Sequence, residues 1–80
     1  MQMQRASVTV HGEVENPIVP WTEGLTMSQA IVAAHYTGFM NPSVVRVLRN
    51  GQVVQQFLGV DLLRGHDMPL QVGDVVDLAP

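Results

Sequence analysis

From Arg5 to Val14 the chain alternates. Ala6, Val8, Val10 and Val14 fall on one side of the period; Arg5, Ser7, Thr9, His11 and Glu13 fall on the other. That is the period of a half-buried β-strand. Glu15-Asn16-Pro17 reads as a turn, because Asn favours turn starts and Pro fixes φ. Ile18 to Trp21 follows as a short second strand. Pro17 and Pro20 cannot donate to a ladder, which assigns this strand to a sheet edge. The two strands form an N-terminal hairpin.

The pattern then changes to a helical period. Met27, Ala30, Ile31 and Ala34 sit at i, i+3, i+4 and i+7, a single apolar stripe. Thr26 with Gln29 three residues on makes a capping box, and Leu25 ahead of the cap can staple onto Ala30. Gly38 suits the left-handed position after the helix, with Phe39 packing back onto Ala34. The spacing predicts a helix over 27–36. Its inner face is rich in alanine, so a sheet can approach it closely.

After the Asn41-Pro42 turn, Val44 to Leu48 is a β-branched run. Asn50-Gly51 is the sharpest hairpin signal in the chain and predicts a type I′ turn joining 43–49 to 52–58. A continuous ladder from that turn sets Leu48 against Val53, Val47 against Val54 and Arg46 against Gln55. One face then carries Val45, Val47, Val54 and Leu58 and is expected in the core. The other carries Val44, Arg46, Leu48, Val53, Gln55 and Phe57 and is expected to be partly exposed. Asp61 to Gly65 reads as a helical turn, Gln71-Val72-Gly73-Asp74 as a tight turn, and Val75 to Leu78 as a last strand.

The order is hairpin, helix, hairpin, helical turn, strand. It predicts an α+β fold, a mixed sheet of 4–5 strands wrapped around one helix, with the last strand returning beside the first. Eighty residues make one domain, with residues 5–80 ordered.

Composition narrows the function. Charged residues are only 14% of the chain, the net charge is −3 and lysine is absent. A sparsely charged surface fits a domain that touches a partner. Four arginines, Arg5, Arg46, Arg49 and Arg64, supply no basic face, so neither nucleic acid nor an anionic membrane surface is expected as a partner. Without cysteine there is no disulfide or thiol chemistry. No apolar leader follows Met1 and no apolar run reaches the ~20 residues of a membrane span. A start directly ahead of a strand fits a segment of a longer protein.

Several motifs are familiar in this order. Val8-Thr9-Val10-His11-Gly12-Glu13-Val14-Glu15-Asn16-Pro17 is similar to the V-x-G-x-V-x-x-P opening of soluble-ligand-binding β-grasp (SLBB) domains. Gly24-Leu25-Thr26-Met27-Ser28-Gln29-Ala30-Ile31 resembles that family's L-T-x-x-x-A-I helix start. Asn41 to Gly51 looks like the approach to its second hairpin. Leu62-Leu63-Arg64-Gly65 and Pro69-Leu70-Gln71-Val72-Gly73-Asp74-Val75-Val76 resemble its closing L-Q-x-G-D-x-V signature. The resemblance runs from about Val8 to Pro80. It implies a β-grasp, a ubiquitin-like roll. It also implies a non-catalytic module in bacterial polysaccharide export, in the periplasm or cell envelope, contacting polysaccharide or export-apparatus subunits. The alternative is a structural domain that pairs with a protein partner or with copies of itself.

Candidate residues follow. Trp21 and Tyr36 offer stacking surfaces for sugar rings, with packing as the plainer role. Phe39 is a third such aromatic. Arg46 and Arg49, beside glutamines, can bond an acidic glycan or simply pair across strands. Val44, Leu48, Val53 and Phe57 are the candidate interface of the self-associating alternative. His11, His35 and His66 lie far apart and give no metal-ligand spacing. Glu13 with Glu15, and Asp74 with Asp77, are carboxylate pairs, but so small a chain builds no substrate cleft around them, and no enzyme activity is expected. No phosphate-binding glycine loop or nucleophile elbow is present, and no cofactor is expected. Leu78-Ala79-Pro80 is not the diglycine tail of a β-grasp sulfur carrier. Gly12 is expected at a bulge or close backbone approach, Gly73 at a positive φ, and Asp74 bonded to nearby amides.

Overall fold

The alternating segments assemble into one mixed sheet. The structure, a computed structural model, describes residues 6–38 and 40–79; Arg5 and the contact expected of Phe39 lie outside them. The elements are β1 (Ser7–His11), β2 (Ile18–Pro20), α1 (Met27–Ala34), β3 (Val44–Arg49), β4 (Gln52–Leu58), α2 (Gly59–Leu63) and β5 (Val75–Ala79). The five strands lie in the order β2-β1-β5-β3-β4. β5 runs parallel to β1 and antiparallel to β3, so the last strand is central, as expected. β2 is an edge strand, also as expected. The described residues thus form a small α+β unit with a five-stranded mixed sheet and two helices.

One face of the sheet holds the core. Val8, Val10, Val45, Val47, Val76 and Leu78 meet Met27, Ala30 and Ala34 of α1 in a single buried cluster. Three of the four predicted stripe residues are fully buried and Ile31 is half-buried. Alanine at the contact keeps the helix close to the strands.

α1 is capped from three directions. Thr26 and Gln29 form the predicted box. The Met27 amide donates to the Met68 carbonyl at 2.9 Å, and the Ser28 amide donates to Asp67 Oδ1 at 3.0 Å. The first three helical amides, which have no partner within the helix, are therefore all satisfied.

At the other end the helix is two residues shorter than predicted. His35, not Gly38, takes the left-handed position, with φ 59°. The cause is tertiary. The loop after β1 reaches the helix end, where the Asn16 amide donates to the Ala34 carbonyl (2.9 Å) and the Glu15 amide to the His35 carbonyl (3.1 Å). Glu15 Oε2 also accepts from His35 Nδ1 at 2.7 Å. The predicted strand to Val14 accordingly ends at His11, and Val14 makes an isolated bridge to Tyr36. Gly12 lies at the departure, with φ 136°, where an added Cβ would stand 3.0 Å from Leu78 Cβ. This is the predicted close approach.

The second hairpin departs from the continuous ladder. Asn50 and Gly51 both have positive φ, and Leu48 pairs with Val53 as expected. Beyond that pair Val47 faces Gln55 and Val45 faces Phe57, with the register shifting between Val47 and Leu48. Val54 is the extra residue of a β-bulge. Because side chains alternate faces, one inserted residue exchanges inside for outside. Phe57, expected on the partly exposed face, is buried, and Val54 and Leu58, expected in the core, are exposed. The helical turn expected over Asp61–Gly65 begins two residues earlier, as α2. There Asp61 Oδ2 reaches back to accept from the Leu58 amide at 2.8 Å. No helix among the described residues is long and apolar enough to cross a membrane.

Candidate functional site

The predicted site residues are distributed over the molecule. Trp21 follows β2 and is half-buried, and its indole Nε1–H donates to the Leu70 carbonyl at 2.8 Å. That bond ties the first edge to the segment entering β5. Arg49 ends β3 and donates from Nε and Nη2 to the two Asp74 oxygens, each at 2.9 Å. Asp74 is only 1% exposed and also accepts from the Gln71 amide at 2.9 Å. Burial works to raise its pKa, but the Arg49 hydrogen bond, the Gln71 amide and the Arg49 charge outweigh it, and the net shift is downward. Asp74 therefore bonds to a turn amide as expected, and Gly73 beside it has the expected positive φ of 86°.

Among the described residues no helix packs on the outer face of the sheet. Arg46 lies at its middle, with Nε donating to Gln56 Oε1 at 3.3 Å and Nη1 3.7 Å from Asp77. The strand pairings extend this polar row to His11, the partner of Asp77. A second row runs Val53, Leu48, Val75, Thr9 and Ile18 across all five strands. Val44 lies on the same face, between Leu58 and Ala79. Of the candidate interface residues, Val44 and Leu48 are half-buried here, Val53 is exposed, and Phe57 is in the core. A shallow hollow of about 380 Å³ lies between His11, Leu48, Val75 and Asp77 at the hairpin end.

Tyr36 stands apart from these. It lines an open cleft of about 570 Å³ between α1 and α2, walled by Ile31, Pro42, Leu58, Val60 and Leu62, with Asn41 and Ser43 as its polar side chains. Among the described residues no charged one lines it. Tyr36 is held by the bridge to Val14 and by its hydroxyl, which donates to the Met40 carbonyl. Gly59 sets the far wall. Its amide donates to the Ser43 carbonyl at 2.8 Å, and a Cβ there would collide with the Pro42 carbonyl. Sequence reasoning misses every cleft residue except Tyr36. The available signal is Leu58-Gly59, a glycine where a strand of bulky residues ends.

Among the described residues no three His, Cys, Asp or Glu side chains come together to hold a metal ion. Glu13 and Glu15 lie on the loop that caps α1 rather than on a strand face, and the Glu13 carbonyl accepts from the Thr37 amide at 2.7 Å. Comparison with family models, curated proteins and solved structures finds no match.

Proposed function

We propose that this chain is a β-grasp domain of the soluble-ligand-binding type, acting as a non-catalytic binding module in bacterial polysaccharide export at the cell envelope. The ordered series of motifs supports this reading. So does the strand order β2-β1-β5-β3-β4 with α1 across one face. The cleft beside Tyr36 is the observation that carries it, because it is concave, mostly apolar and fitted with few polar groups, as ligand sites are. A phenol ring suits the apolar face of a sugar, and Asn41 and Ser43 can bond its hydroxyls. The absence of charge from the lining favours a neutral glycan segment over a uronic or phosphorylated one. Arg46 and Arg49 lie elsewhere and already face carboxylates.

Titration of the labelled chain with neutral and uronic oligosaccharides, followed by amide chemical shifts, tests the proposal. Shifts are expected at Tyr36, Asn41 and Leu62 with the neutral sugars, and Tyr36→Ala should weaken them about tenfold, the loss of a central aromatic contact. Millimolar oligosaccharide that leaves those amides unmoved would overturn it.

A further inference from the structure

The two edges of the sheet are built differently. β2 has three residues, begins beside Pro17 and ends in Pro20. Short, proline-marked edges resist further pairing. β4 has seven residues, Gln52 to Leu58, with neither proline nor charge, and the uncharged run continues to Val60. Among the described residues no strand lies on its side away from β3. Val53, Val54 and Leu58 are 51%, 44% and 54% exposed. Edge strands ordinarily carry lysine or another charge that prevents pairing with a second chain; this one does not. The only irregularity is the bulge at Val54, near the turn, which leaves Gln55 to Leu58 in regular register.

We propose that β4 is a self-pairing edge, along which two copies of this chain join antiparallel about a two-fold axis at Gln56 and extend the sheet from one molecule into the next. Three observations select a second copy as the occupant. The strand itself is uncharged from Gln52 to Leu58, and Asp61, whose Oδ2 accepts from the Leu58 amide at 2.8 Å, stands at its far end, so identical strands meet at Gln56 without like-charge repulsion. Gln56 is exposed; its Oε1 accepts from Arg46 Nε at 3.3 Å, and its second lone pair and NH2 donors can bond its own copy across the axis. The same register sets exposed Leu58 of one copy against exposed Val54 of the other. A two-fold axis at Gln55 would instead bring buried Phe57 opposite Val53, matching an inward side chain to an outward one. Leu58 also walls the cleft, but Gln56 at the axis does not, so the pairing is tested at a residue outside the proposed ligand site.

Sedimentation velocity on the full chain over a concentration series tests it, together with amide hydrogen exchange in 53–58. A concentration-dependent dimer is expected, with exchange in that segment slowing as the dimer forms. Gln56→Lys and Gln56→Glu should each raise the dimer dissociation constant at least about tenfold with unchanged circular dichroism, and mixing the two should restore association. Val54→Lys provides a second disruptive variant on the same edge. A strictly monomeric wild type at millimolar concentration would overturn the proposal. So would dimers that form as readily in Gln56→Lys, or variants that stay monomeric when mixed.

Discussion

Asp74 shows how one side chain closes the structure. It is buried, it accepts two hydrogen bonds from Arg49 and one from the Gln71 amide, and it sits where the last turn enters β5. Its pKa is depressed on folding, as is that of Asp67, where the Ser28 and Met68 amides outweigh the effect of burial. A carboxylate with a lowered folded-state pKa stabilises the fold above the unfolded value of about 4 and loses that contribution as pH falls through the depressed value. Asp74→Asn should therefore cost about 2 kcal/mol at neutral pH, the scale of hydrogen bonds to a buried charge. The cost should begin to shrink as pH falls below about 4, where the unfolded chain takes up the proton, and should vanish only below the depressed folded value. Thermal melts of both proteins across pH 2–7 would check the convergence.

Among the elements, the bulged hairpin makes the sharpest prediction. In a continuous ladder Val54 is a core residue and Phe57 a surface one; in the bulged ladder the roles are exchanged. Phe57→Ala should cost about 3–5 kcal/mol, a large cavity in the core. Val54→Ala should cost under about 1 kcal/mol, as surface changes do. Urea midpoints would decide between the registers. Thr26→Ala should cost about 1 kcal/mol through loss of the cap, read from the same unfolding curves.

Periodicity and turn chemistry reveal α1 and the Asn50-Gly51 turn, since each depends on local residue types, and the order of the elements reveals the central return of β5. The bulge escapes them because Val53 and Val54 are both good strand residues, and only burial of the larger Phe57 selects the shifted register. The end of α1 escapes them because the Asn16 and Glu15 amides, distant in sequence, terminate it at His35. The cleft is the least visible. Its walls come from α1, Tyr36, the 41–43 segment, the end of β4 and α2, and what joins them is the close approach of Gly59 to Pro42.

At the scale of the whole molecule, the order of the strands governs folding. β5 is the last element in the chain yet lies between β1 and β3. Neither half of the sheet can join the other until it is present. A chain ending at Gly73 should show no cooperative thermal transition, which differential scanning calorimetry would reveal. The intact chain should fold in milliseconds or more slowly, because its sheet closes through contacts distant in sequence.

The indole of Trp21 spans the same closure. It is the sole tryptophan of the chain, and its hydrogen bond to Leu70 forms only when the first edge strand and the approach to β5 have come together. Its emission is therefore a built-in, label-free optical signal of tertiary assembly. Compared with helix ellipticity, which reports α1, it would show in one stopped-flow record whether the helix precedes the completed sheet.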